Sequence, residues 1–296
     1  RFLPMLAFLQ SASDGILFGA TYALIGIGFT LVFGVMHKLN LAYAAASVGG
    51  AYCGLLIVKV AVGAPAFAVF FCAFLAGGVL GYLVYLTCFH FIPISNPLAA
   101  LMATVGMLLL IDEIIVHMTD GMPLNYPAMF DDVMLHIGEY TLRGDLLLVF
   151  AVSIVCMAGL LALLYKTRLG LATRAVSQQA VAAQLCGIRV GQVNALTFVV
   201  TGLLGGIAGA MIGASVGTLS PLLTTPLTVK GLIVTVIGGL GSIPGAIIAG
   251  LLVGGFESVL QQFRGVTERD LYVMLLLFVF LVFRPGGLFA PKGGRD

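Results

Sequence analysis

Two apolar runs, each long enough to cross a bilayer, are separated by one polar interruption, residues 166–192, KTRLGLATRAVSQQAVAAQLCGIRVGQ. It carries Lys166, Arg168, Arg174 and Arg189 and no acid. The flanking runs have to lie in lipid and the interruption at one surface, and a basic loop belongs on the cytoplasmic side. Within it a short helix is expected from Thr173 to Cys186. Thr173 can cap it, Ala and Gln favour it, and Gly187 sits where a helix stops. Val176, Ala180, Ala183 and Gly187 recur at 4, 3 and 4, a narrow small-residue face suited to docking against another protein. The plainer alternative is a connecting loop whose charge only sets topology.

Composition closes off the water-soluble classes. The chain is 60% hydrophobic and 9% charged, with mean hydropathy +1.14, values a soluble fold of this length does not show. Apolar runs of this length call for helices, because a barrel would alternate with period two over segments of about ten residues. The expected fold is therefore an all-α integral membrane protein, a polytopic bundle of about eight to nine helices, with 1–296 as a single transmembrane domain. The five Cys (53, 72, 88, 156 and 186) form no CxxC pair and read as small buried hydrophobes, and His37, His90, His117 and His136 are scattered singly.

In chain order, residues 1–13 read as an interfacial lead-in, followed by spans at about 15–35, 41–62 and 66–91. Pro93 and Pro97 close the third, and Asn96 caps a fourth that reaches His117. Residues 119–145 are polar and acidic, an extracytoplasmic loop. A fifth span covers 146–165. After the basic loop come 193–216, a short 227–240, 246–260 and 271–283. Nine crossings put the amino terminus outside and the carboxyl terminus inside. On that assignment Lys38, Lys166, Arg168, Arg174, Arg189, Arg284, Lys292 and Arg295 fall inside, with Asp296 the only acid there. A re-entrant seventh segment would change the count.

Three intramembrane features stand out. Gly205, Gly209, Gly213 and Gly217 recur every four residues, with Thr201 one step earlier, and glycine permits the close approach on which helix association in lipid depends. Packing within the subunit and a subunit interface both fit. The match of 213–217 to G-x-S-x-G is chance, because that pattern needs a strand-turn-helix setting. Gly238, Gly239, Gly241, Ser242 and Pro244 break the chain, either as a tight cytoplasmic turn or as a discontinuous helix lining a wet cavity. Asp112, Glu113, Lys230 and Glu257 are ionisable residues inside spans. They either snorkel to the outer interface or form a salt-bridged cluster around Lys230.

The loop resembles the cytoplasmic coupling loop of permease subunits of branched-chain amino acid ABC importers of the LivH/LivM type. Arg174-Ala175-Val176, Ala182-Ala183 and Leu185-Cys186-Gly187-Ile188 follow that family's order. The resemblance extends to Gly19-Ala20-Thr21-Tyr22-Ala23-Leu24, Gly28-Phe29-Thr30-Leu31-Val32-Phe33-Gly34, Thr104-Val105-Gly106, Gly238 to Ala246, and Arg284-Pro285-Gly286-Gly287-Leu288-Phe289. One departure stands out: where the family has Asn-Phe-Ala-His-Gly, this chain has Asn40-Leu41-Ala42-Tyr43-Ala44.

The resemblance implies a multi-pass inner-membrane permease of a bacterium, not an enzyme, importing a branched-chain amino acid, with urea, short amides or aromatic acids as alternatives. Arg174, Ala175, Val176, Ala182, Ala183, Leu185, Gly187 and Ile188 would couple to an ATPase. Asn40, Ala42, Tyr43, Thr104, Gly106, Gly238, Gly239, Gly241 and Ser242 would flank the solute path. No G-x-x-x-x-G-K-[ST] occurs, so ATP and Mg would be bound by two partner ATPase subunits. A second, similar permease and a periplasmic binding protein complete the implied assembly, with no role for nucleic acid. The rivals are a passive channel, which needs no coupling helix, and an intramembrane enzyme, for which no set of catalytic groups converges.

Overall fold

The computed structural model describes residues 2–60, 66–92, 97–127, 134–137, 140–284 and 286–289. Eleven α-helices account for most of them: α1 (Phe2–Met36), α2 (Ala42–Val60), α3 (Ala66–Tyr85), α4 (Pro97–Thr119), α5 (Gly144–Lys166), α6 (Arg168–Gln178), α7 (Ala180–Leu185), α8 (Val190–Val216), α9 (Thr224–Gly238), α10 (Ile243–Arg264) and α11 (Val266–Phe283). A π turn, Leu86–His90, prolongs α3, and a 3-10 turn, Pro221–Leu223, leads into α9. The loop read as merely polar holds short strands. β1 (Leu124–Asn125) pairs antiparallel with β4 (Thr218–Leu219), and β2 (Met134–Ile137) forms a hairpin with β3 (Tyr140–Arg143). The expected Asn96 cap and Pro93 lie outside the described residues.

Apart from α6 and α7, the helices run alternately between two ends of one bundle. β1 and β4 join the ends of α4 and α8 beside the β2–β3 hairpin, which marks the hairpin end. At the opposite, loop end, Gly34 of α1 lies against Gly241. There the amides of Leu288 and Phe289 donate to Ile237 O and Gly238 O at 2.8 and 3.3 Å. This gives nine passes among the described residues. Seven segments are long and apolar enough to cross a membrane, with α2 a shorter apolar helix. The last helix, α11, opens on Glu268, Arg269 and Asp270, which lowers its apolar length. The chain is thus a multi-pass helical membrane protein, and α9 runs the full way from β4 to the loop end instead of turning back.

The lead-in is not separate: α1 is continuous over 35 residues, about 52 Å at 1.5 Å per residue. It is the central helix, with 83% of its membrane window buried, against 22% for α4 and 28% for α5. The exposed apolar side chains of those two, among them Leu109, Ile114 and Val155, suit a lipid-facing surface.

Glycine contacts set the bundle's spacing. A Cβ on Gly19 would stand 2.8 Å from Gly250 O, so α1 and α10 touch backbone to backbone. Gly205 and Gly209 close on α2 at Tyr43 and Ser47, Gly213 meets the Tyr126 ring, and Gly217 ends α8 in the left-handed region with φ +75°. A second glycine face of α8 has no counterpart in the periodicity read from sequence. Gly202 and Gly206 meet Gly77 and Gly81 of α3, and a Cβ on Gly77 would lie 2.7 Å from Gly206 Cα.

Candidate functional site

The polar interruption folds as two helices, not one. Thr167, not Thr173, caps α6, its hydroxyl accepting from Gly170 N at 3.1 Å. Thr173 is buried in mid-helix and donates to Leu169 O at 2.9 Å. Gln179, in extended backbone, separates α6 from α7. Gly187 does stop α7. With φ +84° it lets Ile188 N reach Ala183 O at 3.0 Å, which closes the last turn.

The faces differ from the expected docking stripe. Val176 and Ala183 are buried against the chain's own bundle, because a short apolar residue on each helix is enough to seat the pair. Arg174, Ala180, Ala182, Leu185 and Gly187 are exposed, and Ala175 and Ile188 are half-buried. The outward surface also holds Leu171 and Val181, which sequence periodicity did not single out, and Leu185 is 86% exposed. The Arg174 guanidinium lies 5.3 Å from the Tyr165 ring centroid, a cation–π contact that anchors α6 to the end of α5.

The break after α9 is a tight turn at this same end of the bundle. Gly239 and Gly241 have φ of +101° and +87°, values open to glycine. Ser242 caps α10 by accepting from Gly245 N at 3.3 Å. Gly238 and Gly245 press backbone on backbone. The turn shares a cavity of about 350 Å³ with Thr30, Thr173, Arg174 and Ser177, so α1, α6 and the turn form one surface.

The nine residues expected along a solute path do not share one cavity. Asn40, Ala42 and Tyr43 are buried at the start of α2, and the amide of Leu41 donates to Thr104 Oγ1 of α4 at 3.4 Å. Gly241 and Ser242 line the cavity on the α1–α6 side instead, while Gly238 and Gly239 end α9 just before them. Gly106 departs from the set altogether. Two residues beyond buried Thr104, it points to the opposite side of α4, and nothing stands within 4 Å of its Cβ position.

At the hairpin end, two of the four ionisable residues inside spans, Lys230 and Glu257, pair instead of snorkelling. Lys230 Nζ contacts Glu257 Oε1 at 2.6 Å and Tyr22 Oη at 3.2 Å. Arg269 Nε lies 3.1 Å from the same carboxylate, and Asp270 Oδ1 is 3.6 Å from Lys230. Lys230 and Glu257 are 8% and 4% exposed, so neither reaches the interface. Opposite charges on successive spans were the legible signal. Tyr22, Arg269 and Asp270 were missed because aromatic and terminal residues carry no mark of pairing. Asp112 is half-buried near Thr224, and Glu113 is exposed on α4. Tyr126, between α4 and β2, packs edge-on to Phe70, and burial pushes its hydroxyl above the usual phenol range.

These features belong to a membrane-embedded bundle with a polar helix pair at one end and a charged cluster at the other. Residues 11–283 match the family described as branched-chain amino acid transport system / permease component. The chain belongs to this family. It is 28% identical to the high-affinity branched-chain amino acid transport system permease protein BraD of Pseudomonas aeruginosa, over 95% of each chain. To the permease protein LivH of Escherichia coli it is 27% identical over 96% of each. A probable branched-chain amino acid transport permease protein LivH of Methanocaldococcus jannaschii is 25% identical, over 84% of this chain and 79% of its own. In this family member the α6–α7 segment carries the loop resemblance, and its outward surface is the feature without a function inside the chain.

Proposed function

We propose that this chain is the translocation subunit of an ATP-binding-cassette importer in a bacterial inner membrane, moving a branched-chain amino acid inward. The observation that carries the reading is the outward surface of α6 and α7. Leu171, Val181 and Leu185 are exposed on a polar, acid-free segment outside the spans. Uncovered apolar side chains of this kind mark a docking surface. With the loop end in the cytoplasm, the occupant is an ATPase subunit, two per importer, which binds ATP and Mg. A second permease and a periplasmic binding protein at the hairpin end complete the assembly.

Tyr43 bears on the solute. Its ring stacks edge-on against Phe29, with centroids 5.1 Å apart, and is accommodated by Gly28 and Gly205. Tyr43 at this position is therefore part of the core, with two glycines leaving room for its ring. The branched-chain solute is preferred over urea, amides or aromatic acids because the matching family and the relatives above are named for branched-chain amino acid transport.

The test is L-leucine uptake into proteoliposomes holding the chain with its partner subunits. Uptake driven by internal-side ATP, and abolished by substituting the P-loop Lys of the ATPase, is the expected result. Leucine flux that persists when ATP cannot be hydrolysed makes the chain a channel and overturns the reading. ATP-driven uptake of urea or an aromatic acid in preference to leucine overturns the solute assignment.

A further inference from the structure

Beside the ion-pair cluster, at the hairpin end, lies a cavity of about 360 Å³ between α1, α5, α8, α10 and α11. That volume is at the lower end of the range for small-ligand pockets, roughly 300–1,000 Å³. Three polar atoms that line it are buried without a hydrogen-bond partner: Asp14 Oδ1, Ser215 Oγ and Glu257 Oε2. Buried polar atoms are normally paired, and an unpaired one costs about 1–3 kcal/mol. Glu257 is 4% exposed. Its Oε1 takes Lys230, Tyr22 and Arg269, which leaves Oε2 turned to the cavity.

Two guanidinium groups, of Arg143 and Arg269, line the same space. Arg143 pairs with Asp145 at 2.7 Å and also reaches Ser215 O, while Arg269 bridges Glu257 and Asp270. Phe18, Leu146 and Val216 supply an apolar wall. Acceptors lacking donors, guanidinium groups and an apolar wall in one small cavity define a ligand with an ammonium group, a carboxylate and an aliphatic side chain.

We infer that this cavity is a binding site for a free zwitterionic amino acid within the single permease subunit. The ammonium donates to Asp14, Glu257 and Ser215, the carboxylate accepts from Arg143 and Arg269, and the side chain lies along Phe18, Leu146 and Val216. The assignment rests on the import reading above, since it places a receiving site at the end assigned to the periplasm.

The experiment measures binding of radiolabelled L-leucine to the full chain alone in nanodiscs, with 4-methylpentanoate and 3-methylbutylamine as competitors. Saturable leucine binding is expected, with each competitor at least tenfold weaker because it lacks one of the two charged groups. Asp14→Asn should weaken leucine binding at least tenfold and Ser215→Ala about threefold, the second serving if the first variant misfolds. Absence of saturable binding means the cavity holds only water and overturns the site, as does unchanged affinity in both variants. ATP-driven uptake without binding to the isolated chain sinks the site alone, whereas binding without ATP-driven uptake sinks the import reading alone.

Discussion

Lys230 and Glu257, on adjacent antiparallel helices, face each other at 2.6 Å with almost no exposure, and Arg269 of α11 closes on the same carboxylate. The pair therefore ties α9, α10 and α11 together where a charge alone would be costly. Removing Lys230 leaves Glu257 only Arg269, and removing Glu257 leaves Lys230 only Asp270 at 3.6 Å, so each loss falls short of the about 3–5 kcal/mol for a buried charge left with no partner. Lys230→Met and Glu257→Leu singly should each lower the midpoint of unfolding in detergent, and the double variant should recover most of the loss. Arg269 keeps Asp270 as a partner at 3.3 Å in the double variant. A double variant no more stable than the singles would show that the ion pair is not the cause.

The glycine contacts predict opposite outcomes for the same substitution. In Gly206→Ala the new methyl would strike the backbone carbonyl of Ala73, which cannot move without displacing α3. Overpacking of this kind costs about 1–3 kcal/mol. Gly106 has nothing within 4 Å of the Cβ position, so Gly106→Ala should be neutral or slightly stabilising. Thermal unfolding of the two purified variants decides it, and equal midpoints would contradict the packing account.

How much of this was legible in the sequence follows from what each signal measures. Apolar length located the spans, but it could not see that residues 2–13 continue α1, because an interfacial and a buried helix share a composition. The spacing of Gly205, Gly209, Gly213 and Gly217 found one face of α8, while Gly202 and Gly206 lay hidden between them in the same run. Thr173 looked like a cap because propensity cannot tell Thr167, six residues earlier, from it. Only the break in hydrogen bonding at the end of α5 does that. At the candidate site, Val176 and Ala183 read as a docking stripe since small residues suit any close contact, and the bundle itself turned out to fill it.

The cap can be tested on its own. Thr167→Ala removes the acceptor for Gly170 N, and losses of this type run to about 0.5–2 kcal/mol. Amide exchange should rise across 168–172 with the spans unchanged, and Thr173→Val should leave those amides protected. Protection lost to the same degree in both variants would mean that Thr167 does not start the helix.

The outward surface of α6 and α7, proposed to meet the ATPase, separates cleanly from the fold, which makes it the sharpest test of the import reading. Leu185 is 86% exposed, so Leu185→Glu removes no packing inside this chain. It places a charge where an apolar contact with the ATPase is proposed. ATP-driven uptake should fall at least tenfold while membrane insertion and thermal midpoint stay at their original values. Arg174→Ala should act in the same direction, because it removes both the charge and the Tyr165 contact that holds α6 in place. Gly187→Ala adds a side chain at φ +84°, at a cost of about 1–2 kcal/mol, and should loosen the end of α7 and reduce uptake without affecting insertion. Ala183→Leu behaves differently, since a larger side chain there is forced into the chain's own bundle and lowers stability first. Full uptake with Leu185→Glu, Arg174→Ala and Gly187→Ala alike would leave the α6–α7 surface without a partner.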